Sequence, residues 1–289
     1  MKSLIRIATR KSPLAQRQAD LVMQAITSLR PDVRCEKVLI TTSGDKRQSW
    51  SLSEKGGKGL FTKEIEDALL EGDSDLAVHS SKDLPTDMPE GLEIRGFLPR
   101  EDARDVWVLR KGLTDGYPRE IATSSPRRRA QAKSFCPNAV WSEIRGNVDT
   151  RLNKVANGTT EATFLAAAGL NRLGIHEWEG VEFRPLPFKV MVPAVGQGAI
   201  ALQTRVGDLA WLESLCCEAT RLAVTLERSL LFEMEGGCQT AMGAHFDGNA
   251  FHLFHEDWGH HTLEPTAENL REPAPYVRSI LERFRETSA

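Results

Sequence analysis

Lys82 and Asp83 stand side by side at the end of a polar run, residues 79–83, that follows an apolar segment, residues 76–78, predicting a short β-strand. In a parallel α/β sheet, ligands bind where the carboxyl ends of the strands open into loops. At such a position the Lys82 ammonium could bind an anionic substrate, and the Asp83 carboxylate could accept a proton or stabilise a cation. An exposed polar turn with solvated charges is the alternative interpretation, and this segment alone leaves both open.

Other cations occupy the same kind of position, in loops or helix starts that follow predicted strands. These residues are Arg10, Lys82, Arg127, Arg128, Arg145, Arg151 and Arg172. A guanidinium group binds a carboxylate through two parallel hydrogen bonds, so arginines suit ligands with several carboxylates or phosphates. Because the whole chain has a net charge of −3, the pattern predicts a local anion site and argues against a broadly basic surface for nucleic acid.

Ser125 and Pro126 have the residue types of a helix N-cap and a first helical position. Arg127 and Arg128 follow at the positive end of that helix, which is electrostatically unfavourable unless a negative group lies nearby. This conflict indicates either an anion-binding site or a solvated basic helix face, and the sequence leaves both open.

Cys238 follows two glycines just beyond a helix predicted for residues 218–235. A thiol in such a permissive loop is typical of a reactive or modified cysteine. The five cysteines form no CxxC pair and no metal-ligand spacing, so free thiols are expected and no metal site is predicted. The glycine-rich segment 42–59 is not a Walker loop; it is interpreted as a flap over a site or as a flexible loop.

The elements that must position these residues alternate between strand and helix, which predicts βαβ units and a mostly parallel sheet. The strands of the first sheet are predicted at 4–8, 38–40 and 76–78, with helices from Ser12 to Leu29 and over residues 61–69. The pattern restarts near Arg100, with strands at 106–109, 120–123, 142–145 and 162–168. The chain then returns through the glycine-containing crossing 192–198 to a strand at 199–202, so two α/β domains joined by two linkers are expected, as in hinged binding proteins.

The remaining segments predict a small C-terminal α+β unit. They are a helical stretch at 208–215, the helix at 218–235, short antiparallel strands within 246–254 and at 262–264, and a closing helix at 275–285. The predicted domains are 1–98 with 196–217, then 99–195, then 218–289. No apolar run reaches the length of a membrane span and residues 1–10 lack the apolar core of a signal peptide, so a cytoplasmic location is expected.

Taken together, these motifs resemble those of the hydroxymethylbilane synthases, also called porphobilinogen deaminases, of tetrapyrrole biosynthesis. The matching segments cover the chain in the family's order and are Ile7–Ala15, Gly56–Glu64, Val78–Pro85, Thr123–Arg128, Arg145–Leu152, Ala168–Gly174, Pro193–Gly198, and Glu227-Arg228 through Cys238. The resemblance implies two domains like those of periplasmic binding proteins, with mixed sheets and two hinge linkers, plus a small third domain. It also implies a monomeric transferase that acts on porphobilinogen and binds neither nucleic acid nor membrane.

The resemblance also assigns roles to individual residues. Cys238 would carry a dipyrromethane cofactor through a thioether, and four porphobilinogen units would be joined to it with loss of ammonia before water releases the linear tetrapyrrole. Asp83 matches the catalytic carboxylate. The residues matching the cofactor-binding positions are Lys82, Ser80, Thr123, Ser124, Ser125, Arg127, Arg128 and Gln197. Those matching substrate carboxylate-binding positions are Arg10, Arg145, Arg151 and Arg172, and those matching the lid loop are Lys58 and Phe61.

The sequence departs from the family's usual residues at several positions without losing the acid, the thiol or an arginine. The positions are Glu54, Ala103, Ala122, Pro126, Gln203, Ala241 and Met242. A second hypothesis, a non-catalytic two-domain receptor for anionic small molecules, differs from the enzyme at Cys238, because a receptor has no need of that thiol.

Overall fold

The computed structural model describes residues 3–46, 59–113, 117–234 and 241–288. Their contacts divide the chain into two compact units. The first contains the described residues up to Glu101 together with Gly198–Arg221. The second contains Asp102–Gln197 and the described residues from Leu222 onward. The three-domain division with its boundaries at 98, 195 and 217 stays a prediction.

The strands of the described residues form two five-stranded sheets and one three-stranded sheet. In chain order they are β1 (Leu4–Arg10), β2 (Arg34–Ile40), β3 (Leu76–Ser80), β4 (Leu92–Phe97), β5 (Asp105–Arg110), β6 (Glu120–Ala122), β7 (Val140–Ser142), β8 (Ala162–Ala166), β9 (Val181–Pro185), β10 (Ile200–Arg205), β11 (Met242–Phe246), β12 (Phe251–His255) and β13 (Gly259–Leu263). The α-helices are α1 (Pro13–Leu29), α2 (Ser43–Lys46), α3 (Lys63–Leu70), α4 (Pro126–Ala132), α5 (Val148–Ala156), α6 (Ala167–Arg172), α7 (Glu218–Glu233), α8 (Ala267–Arg271) and α9 (Pro273–Ser288). Short 3₁₀ helices span Ser81–Asp83 and Ala210–Leu215.

The sheet of the first unit has the strand order β2-β1-β3-β10-β4. Strand β1 pairs in parallel with β2 and β3, whereas β10 runs antiparallel to β3 and β4. Alternate residues of β3 serve different faces, since Leu76 and Val78 pack with the apolar side of α1 while Ala77 packs with Ile65 and Leu69 of α3. Both faces are therefore buried, and the polar residues that follow β3 lie at the sheet's carboxyl edge.

Helix α1 begins as its sequence predicts. The Ser12 side chain accepts a hydrogen bond from the Ala15 backbone N–H, and Pro13 is the first helical residue. The helix ends at Leu29, before Pro31, because proline cannot continue the backbone hydrogen bonding. The Ser12 cap fixes where the loop between β1 and α1, which follows Arg10, ends.

The second unit has a sheet with the order β7-β6-β8-β5-β9, in which β6 is parallel to β7 and β8 while β5 is antiparallel to β8 and β9. The antiparallel sheet β11-β12-β13 belongs to the same unit and buries apolar residues of α7 and α9, including Leu226 and Ile280. Two mixed α/β sheets and a small α+β part are the predicted fold class, which is confirmed. Among the described residues, no helix has both the length and the apolar character needed to cross a bilayer.

Several elements differ from the predictions. The sequence predicts no strand at the positions of β4 and β9. These strands are stabilised mainly by pairing, β4 with β10 and β9 with β5, rather than by a local pattern. Strand β8 ends at Ala166 and a helix begins at Ala167, although both segments are apolar. Strand β7 ends at Ser142, so Arg145 lies three residues beyond the strand. The stretch 246–254 is interrupted by a turn in which the Asp247 side chain accepts the backbone N–H groups of Asn249 and Ala250.

Candidate active site

Asp83 and Lys82 lie in the single 3₁₀ turn that follows β3, at the carboxyl edge of the first sheet. Both line a pocket that is also bounded by Arg10, Phe61 and His79. Oδ2 of Asp83 is 4.0 Å from Nη1 of Arg10, and the Asp83 side chain is 33% exposed. The carboxylate thus shares the pocket with two cations, Arg10 and Lys82, and remains accessible to a ligand there.

Arg10 reaches the pocket from the end of β1 and is held on two sides. Its Nη2 lies 2.5 Å from Oδ1 of Asp45, and its guanidinium carbon lies 4.3 Å from the centre of the Phe61 ring. Thr42 Oγ1 donates a hydrogen bond of 2.8 Å to Asp45. Burial opposes ionisation of Asp45, but the Arg10 charge and these hydrogen bonds hold its pKa below the usual value. Arg10 is therefore positioned by an acid that the sequence analysis did not identify.

Ser80 is the last residue of β3 and is paired with Gln18 of α1. Gln18 Nε2 donates to Ser80 Oγ at 2.8 Å, and Gln18 is buried. The hydroxyl of Ser80 therefore has a fixed orientation at the pocket wall. Phe61, predicted as part of a lid, contacts Arg10 from the residues that precede α3, whereas Lys58 lies outside the described residues.

Arg127 and Arg128 in the second unit are buried and share one carboxylate, Asp105, at the first position of β5. Arg127 Nη1 is 2.7 Å from Oδ2, and Arg128 Nε and Nη2 are 2.9 and 2.7 Å from Oδ1. Burial disfavours the charged carboxylate, yet the two guanidinium groups hold the pKa of Asp105 far below its usual range. The negative group that offsets these arginines at the start of α4 therefore belongs to the protein itself, and neither arginine lies on a solvated face.

Ser125, Ser124, Thr123 and Gln197 surround this ion triad. The Ser125 side chain accepts the Arg128 backbone N–H as the N-cap of α4, as the sequence predicts. Ser124 Oγ donates to the Ile144 carbonyl at 2.9 Å, and Thr123 Oγ1 accepts the Ser125 backbone N–H at 3.2 Å. Gln197 Nε2 donates to the Ala103 carbonyl at 2.7 Å and to Oδ1 of Asp105 at 3.3 Å. These contacts fix the backbone and side chains that present Arg127 and Arg128.

Arg151 lies close enough to Arg128 and Arg145 for their charges to act on it. Its Nε donates a hydrogen bond of 2.8 Å to the Gly146 carbonyl, inside the loop that leads into α5. Burial together with the positive charges of Arg128 and Arg145 lowers the pKa of Arg151 to about 10. An anionic ligand is favoured among cations that repel one another, because its negative charge offsets that repulsion.

The two remaining predicted residues are Arg172 and Cys238. Arg172 is the half-buried last residue of α6. Cys238 lies outside the described residues. Across residues 3–46, 59–113, 117–234 and 241–288, no group of three or more His, Cys, Asp or Glu side chains could hold a metal ion.

The site residues that sequence reasoning missed are acids that orient arginines. Asp105 precedes the apolar run of β5, and an acid at the start of a buried strand in an arginine-rich chain is a recognisable signal. Asp45 lay inside the polar segment 42–59, where composition alone does not single out one carboxylate.

Comparison with known proteins identifies the family. Residues 5–213 match the family model described as porphobilinogen deaminase, dipyromethane cofactor binding domain. The porphobilinogen deaminase of Syntrophobacter fumaroxidans is 45% identical over 248 residues, covering 84% of this chain and 79% of that protein. That of Coxiella burnetii strain RSA 331 is 44% identical over 260 residues, covering 88% and 83%. The chain belongs to the porphobilinogen deaminase family. The resemblance stated from the motifs is confirmed, and so is dipyrromethane as the cofactor of the matched domain.

Among solved structures, two binding proteins align with the coordinates at low sequence identity. An ancestral cationic amino acid solute-binding protein aligns with a TM-score of 0.46 and 16% identity, covering 74% of this chain and 88% of that one. The aliphatic sulphonate binding protein SsuA of Escherichia coli aligns with a TM-score of 0.44 and 13% identity, covering 82% and 72%.

Proposed function

We propose that this chain condenses four porphobilinogen molecules, with loss of one ammonia at each step, onto a dipyrromethane primer bound to Cys238, and then releases hydroxymethylbilane by hydrolysis. The observation that carries the proposal is the position of Asp83, in a pocket that it shares with Arg10 and Lys82, in a member of this family. Loss of ammonia from porphobilinogen leaves a cationic azafulvene, and a fixed, accessible carboxylate stabilises such a cation. Arg10 would bind a carboxylate of the substrate and so orient the substrate toward Asp83.

The residues of the second unit fit a group that carries several carboxylates. Burial and the positive charges of Arg128 and Arg145 lower the pKa of Arg151. Asp105 offsets only part of the positive charge of Arg127 and Arg128, since one carboxylate faces two guanidinium groups. We assign Arg127 and Arg128, with Thr123, Ser124, Ser125, Gln197, Ser80 and Lys82, to the cofactor. When bound, the dipyrromethane would supply the pyrrole carbon that is joined to the first substrate.

Arg145, Arg151, Arg172 and Arg10 are assigned to the acetate and propionate groups of the growing chain. Each added unit brings two further carboxylates, so the requirement for cations rises as the product lengthens. Further parts of this proposal are a monomeric state, a cytoplasmic location, lid roles for Phe61 and Lys58, and the division into three domains.

Intact-protein mass spectrometry tests the covalent attachment. The purified chain should carry the mass of two linked pyrrole units, and Cys238→Ser should lose it because a hydroxyl does not form the thioether. Cys217→Ser is the matched control, because hydrogen bonds involving Thr220 and Ala219 lower the pKa of the Cys217 thiol and make it the natural competitor.

Retention of the adduct in Cys238→Ser would contradict the attachment site. An unmodified wild-type chain that binds porphobilinogen without turnover would instead favour the non-catalytic receptor.

A further inference from the structure

His79, Gln203 and Glu66 form a buried chain of hydrogen bonds beneath the Asp83 pocket. His79 Nε2 lies 2.9 Å from Gln203 Oε1, and Gln203 Nε2 lies 3.0 Å from Oε1 of Glu66. The three residues are 4%, 0% and 5% exposed, so none of them exchanges these partners for water. They come from β3, β10 and α3, and the antiparallel pairing of β10 with β3 brings the first two together.

The chemistry of these groups fixes the proton on His79. A carboxylate only accepts hydrogen bonds, so the amide NH₂ of Gln203 faces Glu66, and the sulfur of Met88 at 2.8 Å is a second acceptor for it. The amide oxygen of Gln203 then faces His79, which must donate its Nε2 proton. Gln203 thus separates the buried carboxylate from the imidazole, and in the neutral ring Nδ1 carries no proton.

The charged groups around the imidazole come from every element packed near it. Arg10 lies on β1, Lys82 and Asp83 lie in the turn after β3, and Glu66 lies on α3 behind Gln203. Burial, together with the positive charge of Arg10 and despite the hydrogen bond to Gln203, lowers the pKa of His79 to about 4. The pocket therefore contains two cations, Arg10 and Lys82, and no imidazolium at neutral pH.

We propose that His79 is a positioning residue that stays neutral because it is buried and because Gln203 separates it from the Glu66 carboxylate, so that no third positive charge opposes the cation that forms beside Asp83. The inference rests on the proposed function, which supplies the cationic azafulvene. An imidazolium in this pocket would weaken the negative potential at Asp83 in the transition state, whereas it would still attract the carboxylates of the substrate. The charge of His79 should therefore act on kcat and leave KM unchanged or lower.

The test moves the carboxylate one position along the chain of hydrogen bonds. In the double variant Glu66→Gln/Gln203→Glu the same groups are present, but the carboxylate contacts His79 directly. NMR titration of histidine-labelled protein, with His79→Asn to assign the signal, should show the His79 pKa rising by about two units. Between about pH 5 and 9, kcat of the variant should then fall about tenfold below the new pKa and recover above it, without a rise in KM.

Controls distinguish three claims: the hydrogen-bond pairing of His79, its positioning role, and the proposed function. Gln24→Glu on the exposed side of α1 is the matched surface control, and its kcat should follow the wild-type pH profile. Gln203→Glu alone gives a second test should the double variant fail to fold. An unmoved His79 titration would overturn the pairing, and a raised pKa with a wild-type kcat profile would overturn the positioning role. Absence of turnover in the wild type would instead count against the proposed function, while the titration still reports on the pairing.

Discussion

At the scale of single residues, Asp83 is only weakly paired, because its contact with Arg10 is long, at 4.0 Å, and a third of its side chain is exposed. A carboxylate that is neither tightly paired nor buried contributes little to stability, so its position is better explained by reactivity.

Asp83→Asn tests that interpretation. The variant should lose activity by about 100-fold or more, because the amide cannot stabilise a cation. Its thermal midpoint should remain within a few degrees of the wild type, because the lost ion pair is long and partly exposed. Enzyme turnover and thermal melts measure the two effects, and Asp87→Asn, an exposed acid of the following loop, is the matched control. Substantial turnover by Asp83→Asn would refute the assigned role.

Asp105 presents the opposite case, a fully buried carboxylate between two guanidinium groups. Asp105→Asn should lower the free energy of unfolding by about 3–5 kcal/mol, because two buried cations lose their counter-ion. The folded pKa of Asp105 is lowered, so its stabilisation is present above the unfolded value near 4 and is lost as pH falls toward the folded value. Denaturant titrations at several pH values should show this acid-side loss in the wild type, and a much smaller one in the variant.

At the scale of elements, a short capped helix presents Arg127 and Arg128. Helix α4 has seven residues, and its first turn contains both Arg127 and Arg128. Its start depends on Ser125, whose side chain accepts the Arg128 backbone N–H. Because the same backbone position fixes the direction of the Arg128 side chain, capping and ligand placement are coupled here.

Ser125→Ala should therefore destabilise the chain by about 1 kcal/mol through loss of the cap. The substitution should also weaken retention of the cofactor, because the first turn of α4, which contains Arg128, then frays. Denaturant melts and the fraction of adduct-bearing protein by mass spectrometry report the two effects. Ser142→Ala, at an exposed position of β7, should change neither. A wild-type unfolding free energy for Ser125→Ala would show that the cap is dispensable.

At the scale of the whole molecule, a chain with net charge −3 places Arg10 at the end of a strand and Arg127, Arg128 and Arg151 in the first turns of helices. Such placement keeps the rest of the surface mixed in charge while the local potential favours a polyanion. The positive charge of Arg145 acts on Arg151. The Arg151 side chain is held by a hydrogen bond to the carbonyl of Gly146, which lies in the loop before α5. We therefore expect them to bind different carboxylates of the lengthening product.

Arg145→Ala and Arg151→Ala should accordingly stall elongation at different steps. Mass spectra taken after a brief exposure to porphobilinogen should show enzyme with different numbers of added units in the two variants. Arg184→Ala, at an exposed ion pair with Glu182 on β9, should give the wild-type distribution. Identical stalling patterns for the two site variants would contradict separate roles.

The sequence by itself determined the local starts of helices and the family. Ser12-Pro13 and Ser125-Pro126 begin α1 and α4 as predicted, because capping depends on residues within one turn. The motifs around Lys82, Asp83 and the arginines sufficed to identify the family, because they combine unusual residue types at fixed spacing along the whole chain.

Only the tertiary structure decided which groups those residues meet. Asp105 is 22 and 23 positions from Arg127 and Arg128, and Gln203 is 124 positions from His79. These contacts depend on the register of β5 against β8 and on the antiparallel placement of β10 beside β3, which no local pattern specifies. The charge of a buried acid or imidazole is set by such distant partners and by exclusion of water, and both exist only once the sheets have formed.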